Sequence, residues 1–257
     1  MKFAPNPFTH AIRKGEKQLG LWLTSASNSS AEIISSAGYD WVVVDMEHAP
    51  NHMLSVCSQL QIFSGSPTTA LARPDWNDAV EVKRLLDLGA DGLVFPMIQT
   101  VEEAKSAVAS TRYPPRGIRG VSGVTRANKY GRITDYFERV EEETTIIIQL
   151  ETVSAIEHAE EIAAVDGVDG IFFGPADISA DMGLLGKAMD PAVWDLIWSA
   201  ARKLIAKGVP VGTLVLDPAF AAKLLNDGFT FVACGVDTAL LAQSSDQLLA
   251  QVKGDLS

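Results

Sequence analysis

The sequence predicts a single-domain (β/α)8, or TIM, barrel spanning residues 1–257. Three observations carry this. Eight short, β-rich apolar runs recur along the chain. They are continuous rather than alternating, as befits strands buried on both faces of a parallel sheet. Amphipathic segments with helix start and stop signals separate them. With 47% hydrophobic and 21% charged residues over 257 positions, the chain builds a sizeable core without disulfide staples. An open doubly wound sheet fits the same alternation. No strand-proximal G-x-G-x-x-G fingerprint or Walker A motif is present, however, which weakens its nucleotide-binding form.

In chain order, an N-terminal helix precedes the first run, Leu19–Thr24. Gly38 marks a helix stop before the second run, Trp41–Met46. Met53, Val56, Leu60 and Phe63 form the apolar stripe of the next helix. Thr68–Arg73 is the third run, and Gly89 punctuates the chain before the fourth, Gly92–Met97. Thr100 and Glu103 read as a capping box. The stretch from Pro114 to Thr145 is a long insertion rich in Arg and Gly, expected to be a functional loop, an oligomer contact or a solvated excursion. Ile146–Glu151 is the fifth run, followed by a second capping box at Ser154 and Glu157. Gly167 precedes the sixth run, Gly170–Gly174. Asp190-Pro191 and Asp217-Pro218 each read as an N-cap with proline at the first helical position. The stripe Val193, Ile197, Ala200, Leu204 lies between them, with Gly208 and the seventh run, Val209–Val215. Gly228 and Phe229–Gly235 complete the set. Glycine at each helix end suits the left-handed C′ position.

The net charge of −11 argues against nucleic acid or an anionic membrane as partner. No apolar stretch approaches the roughly 18–20 residues of a membrane span, and no signal peptide is read at the N-terminus. Two cysteines, Cys57 and Cys234, are too few for a disulfide framework, which points to a reducing, cytoplasmic setting.

Barrel active sites gather at the C-terminal strand ends. There the second run ends Asp45-Met46-Glu47-His48, the third in Arg73, the fifth in Gln149-Leu150-Glu151, and the sixth in Gly174-Pro175-Ala176-Asp177. Taken singly, an acid at a strand end is more often a cap, His48 a structural histidine and Arg73 a salt-bridge residue. Their joint convergence on one mouth is the anatomy of an enzyme site. Asp40, Asp91 and Asp169, at the opposite strand ends, read as turn residues.

Glu151 and Asp177, from neighbouring strands, suit a hard divalent cation with open positions for water and substrate. Without a His/Cys cluster, zinc fits less well. Gln149 shares a face with Glu151. The amides of Ala176 and Asp177 suit a substrate carboxylate. Asp45 is placed to fix the tautomer of His48 and raise its basicity. No lysine lies in a strand run or directly at its C-terminal end, where a Schiff base would require one.

These motifs resemble the HpcH/HpaI aldolase family. So do Gly20-Leu21-Trp22-Leu23, Pro115-Arg116-Gly117-Ile118-Arg119-Gly120 and Phe231-Val232-Ala233-Cys234-Gly235-Val236-Asp237. The resemblance covers nearly the whole chain. It implies a modified barrel of the phosphoenolpyruvate/pyruvate superfamily and a class II, metal-dependent aldolase acting on 2-oxo acids. The ion would be Mg²⁺, with Mn²⁺ or Co²⁺ as substitutes. By motif, Glu151 and Asp177 are the metal ligands, His48 and Asp45 the acid/base pair, and Arg73 the partner of the 2-oxo oxygen. Gln149 sits beside the carboxylate, the Ala176 and Asp177 amides hold it beyond Gly174, and Trp22 lines the pocket. The partners implied are a 2-oxo acid, an aldehyde and further copies of the chain, in a hexamer with the last helix exchanged between neighbours. His52 departs from the family pattern, which has an acidic residue there. Two rivals share this barrel: a CoA-thioester lyase of the citrate-lyase-β type, for which the Arg116–Arg132 loop is the only basic candidate, and a non-catalytic carboxylate-binding barrel.

Overall fold

The computed structural model describes residues 1–255. The elements run α1 (Pro7–Arg13), β1 (Gln18–Leu23), α2 (Asn28–Ser35), β2 (Trp41–Asp45), α3 (Met53–Phe63), β3 (Thr69–Arg73), α4 (Ala79–Asp87), β4 (Gly92–Phe95) and α5 (Val101–Thr111). They continue with α6 (Tyr136–Glu143), β5 (Thr145–Leu150), α7 (Val153–Glu157), α8 (Ala159–Ala163), β6 (Gly170–Phe173) and α9 (Pro175–Asp181). The last are α10 (Pro191–Ala206), β7 (Val211–Leu214), α11 (Pro218–Asn226), β8 (Phe231–Val236) and α12 (Asp237–Asp255). The eight strands close in sequence order, all parallel. Each expected run overlaps one strand, with boundaries that differ by one or two residues at several ends. No helix is long and apolar enough to cross a membrane, and Cys57 and Cys234 are free thiols.

Two cores result from the two faces of the strands. Outward residues such as Leu21, Val42 and Val44 pack against the helices, where Val56, Leu60, Val193, Ile197 and Leu204 are buried. Inward residues Trp22, Trp41, Val43, Leu71, Val94, Ile147, Phe172 and Phe231 fill the barrel. Phe8 and Ile12 of α1 plug its N-terminal end, with Phe8 5.3 Å from the Trp41 ring. The five helix-stop glycines, Gly38, Gly89, Gly167, Gly208 and Gly228, all have positive φ.

Asp40, Asp91 and Asp169 do more than turn the chain. Their carboxylates accept the amides of Leu19, Ala70 and Ile146, each on the preceding strand. Their own amides donate to the carbonyls of the same three residues. Each acid therefore pins the register of two adjacent strands at the bottom of the barrel.

Thr100 and Glu103 form the expected capping box, and Asp190 and Asp217 cap α10 and α11. The expected box at Ser154 and Glu157 is not formed. Thr152 caps Ala155 instead, and the segment breaks into two short helices at His158. Starting two residues earlier lets Thr152, immediately after the strand, satisfy a free helix amide.

The insertion wraps the N-terminal end of the barrel. Arg126 donates to the carbonyls of Leu60 and Leu88, at the ends of α3 and α4, a favourable place for a cation. Arg119 is buried, pairs with Asp87 and lies over the Tyr113 ring. Arg116 joins Arg112 on Asp166 and Glu141. These arginines fasten the insertion opposite the barrel mouth.

Candidate active site

At the C-terminal end of the strands a cavity of about 700 Å³ opens. Its lining includes Trp22, Asp45, His48, Arg73, Gln149, Gly174, Ala176 and Asp177. Each comes from the end of a strand or the turn after it, so sequential strand order alone gathers them. Glu151 lies just beneath, 2% exposed.

The sequence pairing of Asp45 with His48 is corrected here. Asp45 ends β2 and is adjacent in register to Arg73 at the end of β3. Its two oxygens accept Nε and Nη2 of Arg73, both at 2.7 Å. This bidentate geometry fixes the plane of the guanidinium. Asp45 is fully buried, whereas His48 lies at the rim with its side chain 64% exposed. The carboxylate nearest the imidazole is that of Glu47, with Oε1 3.8 Å from Nε2.

Glu47 is the residue that sequence reasoning passed over. Its Oε2 lies 2.9 Å from Arg73 Nη1. Arg73 is thus held by two carboxylates, while its Cζ lies 5.3 Å from the Trp22 ring centroid. Burial pushes the Glu47 carboxyl above its ordinary range, against the opposing pull of Arg73 and His48. The Asp-x-Glu spacing was the available signal: alternate residues on an extended chain project the same way.

Glu151 is held from two sides. Gln149 Nε2 donates to Oε1 at 2.7 Å, and the amide of Met97 donates to Oε2 at 2.6 Å. Met97 has φ of 53°, a strained conformation for a non-glycine residue, and here it aims a backbone donor at the site. Burial, reinforced by the Glu47 and Asp177 carboxylates, pushes Glu151 up to about 8.

A hard divalent cation fits these donors. Glu151 and Asp177 are close enough to repel, and a cation between them would relieve that repulsion. Gln149 Oε1 is buried without a hydrogen-bond partner. Gly174 leaves a cradle: a Cβ there would lie 2.9 Å from Glu151 Cγ and 3.3 Å from Gln149 Nε2. Among the described residues, no group of three or more His, Cys, Asp or Glu side chains is arranged to hold a metal. A cation bound here would complete its shell with water and substrate oxygens.

Ala176 and Asp177 sit in the first turn of α9 and are exposed to the cavity. Phe172 supports the floor through Trp22, with ring centroids 5.2 Å apart. Asp237, unassigned from sequence, accepts the amides of Thr24 and Ser25 and so ties the end of β1 to the end of β8. His52, the departure from the family pattern, does not line the cavity. It caps α3 through Nδ1. No lysine is among the residues lining the cavity.

A family profile described as HpcH/HpaI aldolase/citrate lyase matches residues 18–244. The chain is 45% identical over 247 residues to 4-hydroxy-2-oxo-heptane-1,7-dioate aldolase of Salmonella arizonae, covering 96% of this chain and 94% of that protein. A solved HpcH/HpaI aldolase/citrate lyase family protein from Burkholderia cenocepacia superposes with a TM-score of 0.93 at 36% identity, covering 96% of this chain and 99% of that one. An HpcH/HpaI aldolase from Desulfitobacterium hafniense gives 0.88 at 28% identity, covering 95% of both.

Proposed function

The chain belongs to the HpcH/HpaI aldolase family, and from that premise we propose that it is a class II lyase that cleaves a 4-hydroxy-2-oxo acid reversibly to pyruvate and an aldehyde. The observation that carries this reading is the convergence of Arg73, Gln149, Glu151 and Asp177 on one cavity without a lysine in its wall. A divalent cation held by Glu151 and Asp177, Mg²⁺ with Mn²⁺ or Co²⁺ able to replace it, would supply a Lewis acid for the carboxylate and 2-oxo oxygens.

The protein's own groups divide the remaining work. The amides of Ala176 and Asp177 receive the substrate carboxylate, and Gln149 lies beside it. Trp22 forms the facing wall. When the C3–C4 bond breaks, its electron pair passes into C2–C3 and negative charge grows on the C2 oxygen. Arg73, preset by Asp45 and Glu47, meets that charge without reorganising. His48 takes the C4 hydroxyl proton through a water, and a proton then returns to C3. Synthesis runs the same steps backwards.

The CoA-lyase rival loses its support, because Arg116, Arg119 and Arg126 are engaged at the far end of the barrel. A metal-dependent turnover of any 2-oxo acid aldol removes the non-catalytic rival. The assay is a panel of 4-hydroxy-2-oxo acids with pyruvate release followed by a coupled enzyme. No release from any of them would refute the reading.

The same reading takes the protein as a cytoplasmic homo-oligomer, a hexamer with α12 exchanged between neighbours. In α12 only Asp237 is buried, while Leu241, Leu248 and Leu249 are more than half exposed. Leucines left exposed along this helix support a partner chain as their cover.

A further inference from the structure

At the N-terminal end of the barrel, opposite the mouth, lies a second cavity of about 320 Å³. The N-terminal segment, the C-terminal ends of α3 and α4, and α6 enclose it. Its wall is mixed. Phe3, Phe63, Leu86 and Val140 supply apolar surface, and among them stand Arg119 and two acids, Asp91 and Glu143.

Two of these three groups carry unmet hydrogen-bonding capacity, of opposite kind. The Arg119 side chain is 1% exposed. Its Nη2 donates to Asp87 and to the Tyr136 hydroxyl, and its guanidinium lies over the Tyr113 ring. Its Nε and Nη1 are buried and find no acceptor among the described residues. Asp91 is the converse. Its Oδ2 accepts the Ala70 amide, while among the described residues no donor reaches Oδ1. Burial outweighs the pull of Arg126 and Lys129 and lifts its carboxyl to about 6. Glu143, by contrast, is satisfied by the Asn6 amide, His10 and Arg139. A buried guanidinium without acceptors and a buried carboxylate oxygen without a donor are each costly.

We infer that this cavity is a binding site for a small zwitterion with an apolar body, the chemical class of an apolar α-amino acid. The ligand carboxylate meets Arg119 in a charge-assisted contact. The ligand ammonium meets Asp91, where the C-terminal ends of α3 and α4 also favour positive charge. Arg126 already exploits those ends, donating to the Leu60 and Leu88 carbonyls. The apolar body lies against Phe63, Leu86 and Val140 and gains from burial. A plain carboxylate would gain Arg119 but approach two acids. A plain amine would gain Asp91 but face the guanidinium. Only a molecule carrying both groups answers both residues. The cavity shares no lining residue with the mouth, so its ligand does not compete with pyruvate.

The test is isothermal titration calorimetry of the full chain with L-phenylalanine and L-leucine. Two truncated probes run alongside: 3-phenylpropanoate, which lacks the amine, and 2-phenylethylamine, which lacks the carboxylate. At least one amino acid should bind saturably, one molecule per chain. Each truncated probe should bind about tenfold more weakly than L-phenylalanine or not at all, the loss expected for one charged hydrogen-bonding partner. Asp91→Asn, which keeps an acceptor for Ala70, should weaken amino-acid binding by about tenfold. Saturating pyruvate with Mn²⁺ should leave the affinity unchanged. Absence of saturable binding by both amino acids would overturn the inference, as would equal affinity for a truncated probe or displacement by pyruvate. Those results need no variant and leave the aldolase reading intact.

Discussion

Both carboxylate oxygens of Asp45 are occupied by Arg73, so Asp45→Asn should reproduce the phenotype of Arg73→Ala rather than that of His48→Ala. An amide offers one acceptor oxygen where the carboxylate offers two, so the two-oxygen fork to the guanidinium is broken. The loosened arginine would then serve both enolisation and cleavage poorly. Exchange of the pyruvate methyl protons, read by NMR, and aldol cleavage should each fall by about 10²-fold in Asp45→Asn. His48→Ala should lower cleavage by about 10²–10⁴-fold and spare exchange. Normal exchange in Asp45→Asn would restore the pairing of Asp45 with His48 expected from sequence. That pairing misled because sequence proximity places Asp45 near His48, whereas strand register places it directly against Arg73. Gly174 gives a second test at this scale. A methyl there would press on Glu151 and Gln149, so Gly174→Ala should weaken Mn²⁺ binding about tenfold with the circular dichroism spectrum unchanged. Unaltered affinity would show that the cradle is not used. The Met97 donor to Glu151 was illegible in sequence, since neither its left-handed backbone nor its contact follows from residue type.

At the scale of the elements, the strand periodicity and the helix-end signals sufficed to locate all eight strands. The errors lie where two short-range solutions compete, as at Thr152 and Ser154. The function of Asp40, Asp91 and Asp169 was also undervalued, because a register clamp exists only once neighbouring strands are paired. Asp91 permits a measurement. Burial pushes its carboxyl from 3.8 up to about 6, despite the hydrogen bond from the Ala70 amide. The folded chain therefore binds that proton more tightly than the unfolded chain does. The contribution of this group to stability is full below about pH 4 and declines as pH rises to about 6. Asp91→Asn retains an acceptor for Ala70 and removes the titration. Between pH 4 and pH 7 the variant should gain urea-unfolding stability relative to the parent protein. An identical pH dependence in the two proteins would place the clamp's cost elsewhere.

For the molecule as a whole, the closed barrel and its mouth were readable because the fold sends every strand's C-terminal end to one place. The destination of the insertion was not readable, because its arginines find partners far away in sequence, as Arg126 does on Leu60. The exposed leucines of α12 carry the assembly claim. Leu241→Asp together with Leu248→Asp should convert a hexamer into smaller species in sedimentation velocity, without loss of the barrel's circular dichroism. A parent protein that sediments as a single chain would contradict the exchanged helix. The central claim is that Glu151 and Asp177 hold a divalent cation on which pyruvate release depends. It is tested most directly by assaying one 4-hydroxy-2-oxo acid before chelation, after chelation and dialysis, and after returning Mg²⁺ or Mn²⁺, with Glu151→Gln alongside. Activity should disappear with the ion and return with it, and Glu151→Gln should neither bind Mn²⁺ nor turn over. Full activity in excess chelator would contradict it, as would a lysine–pyruvyl adduct trapped by borohydride.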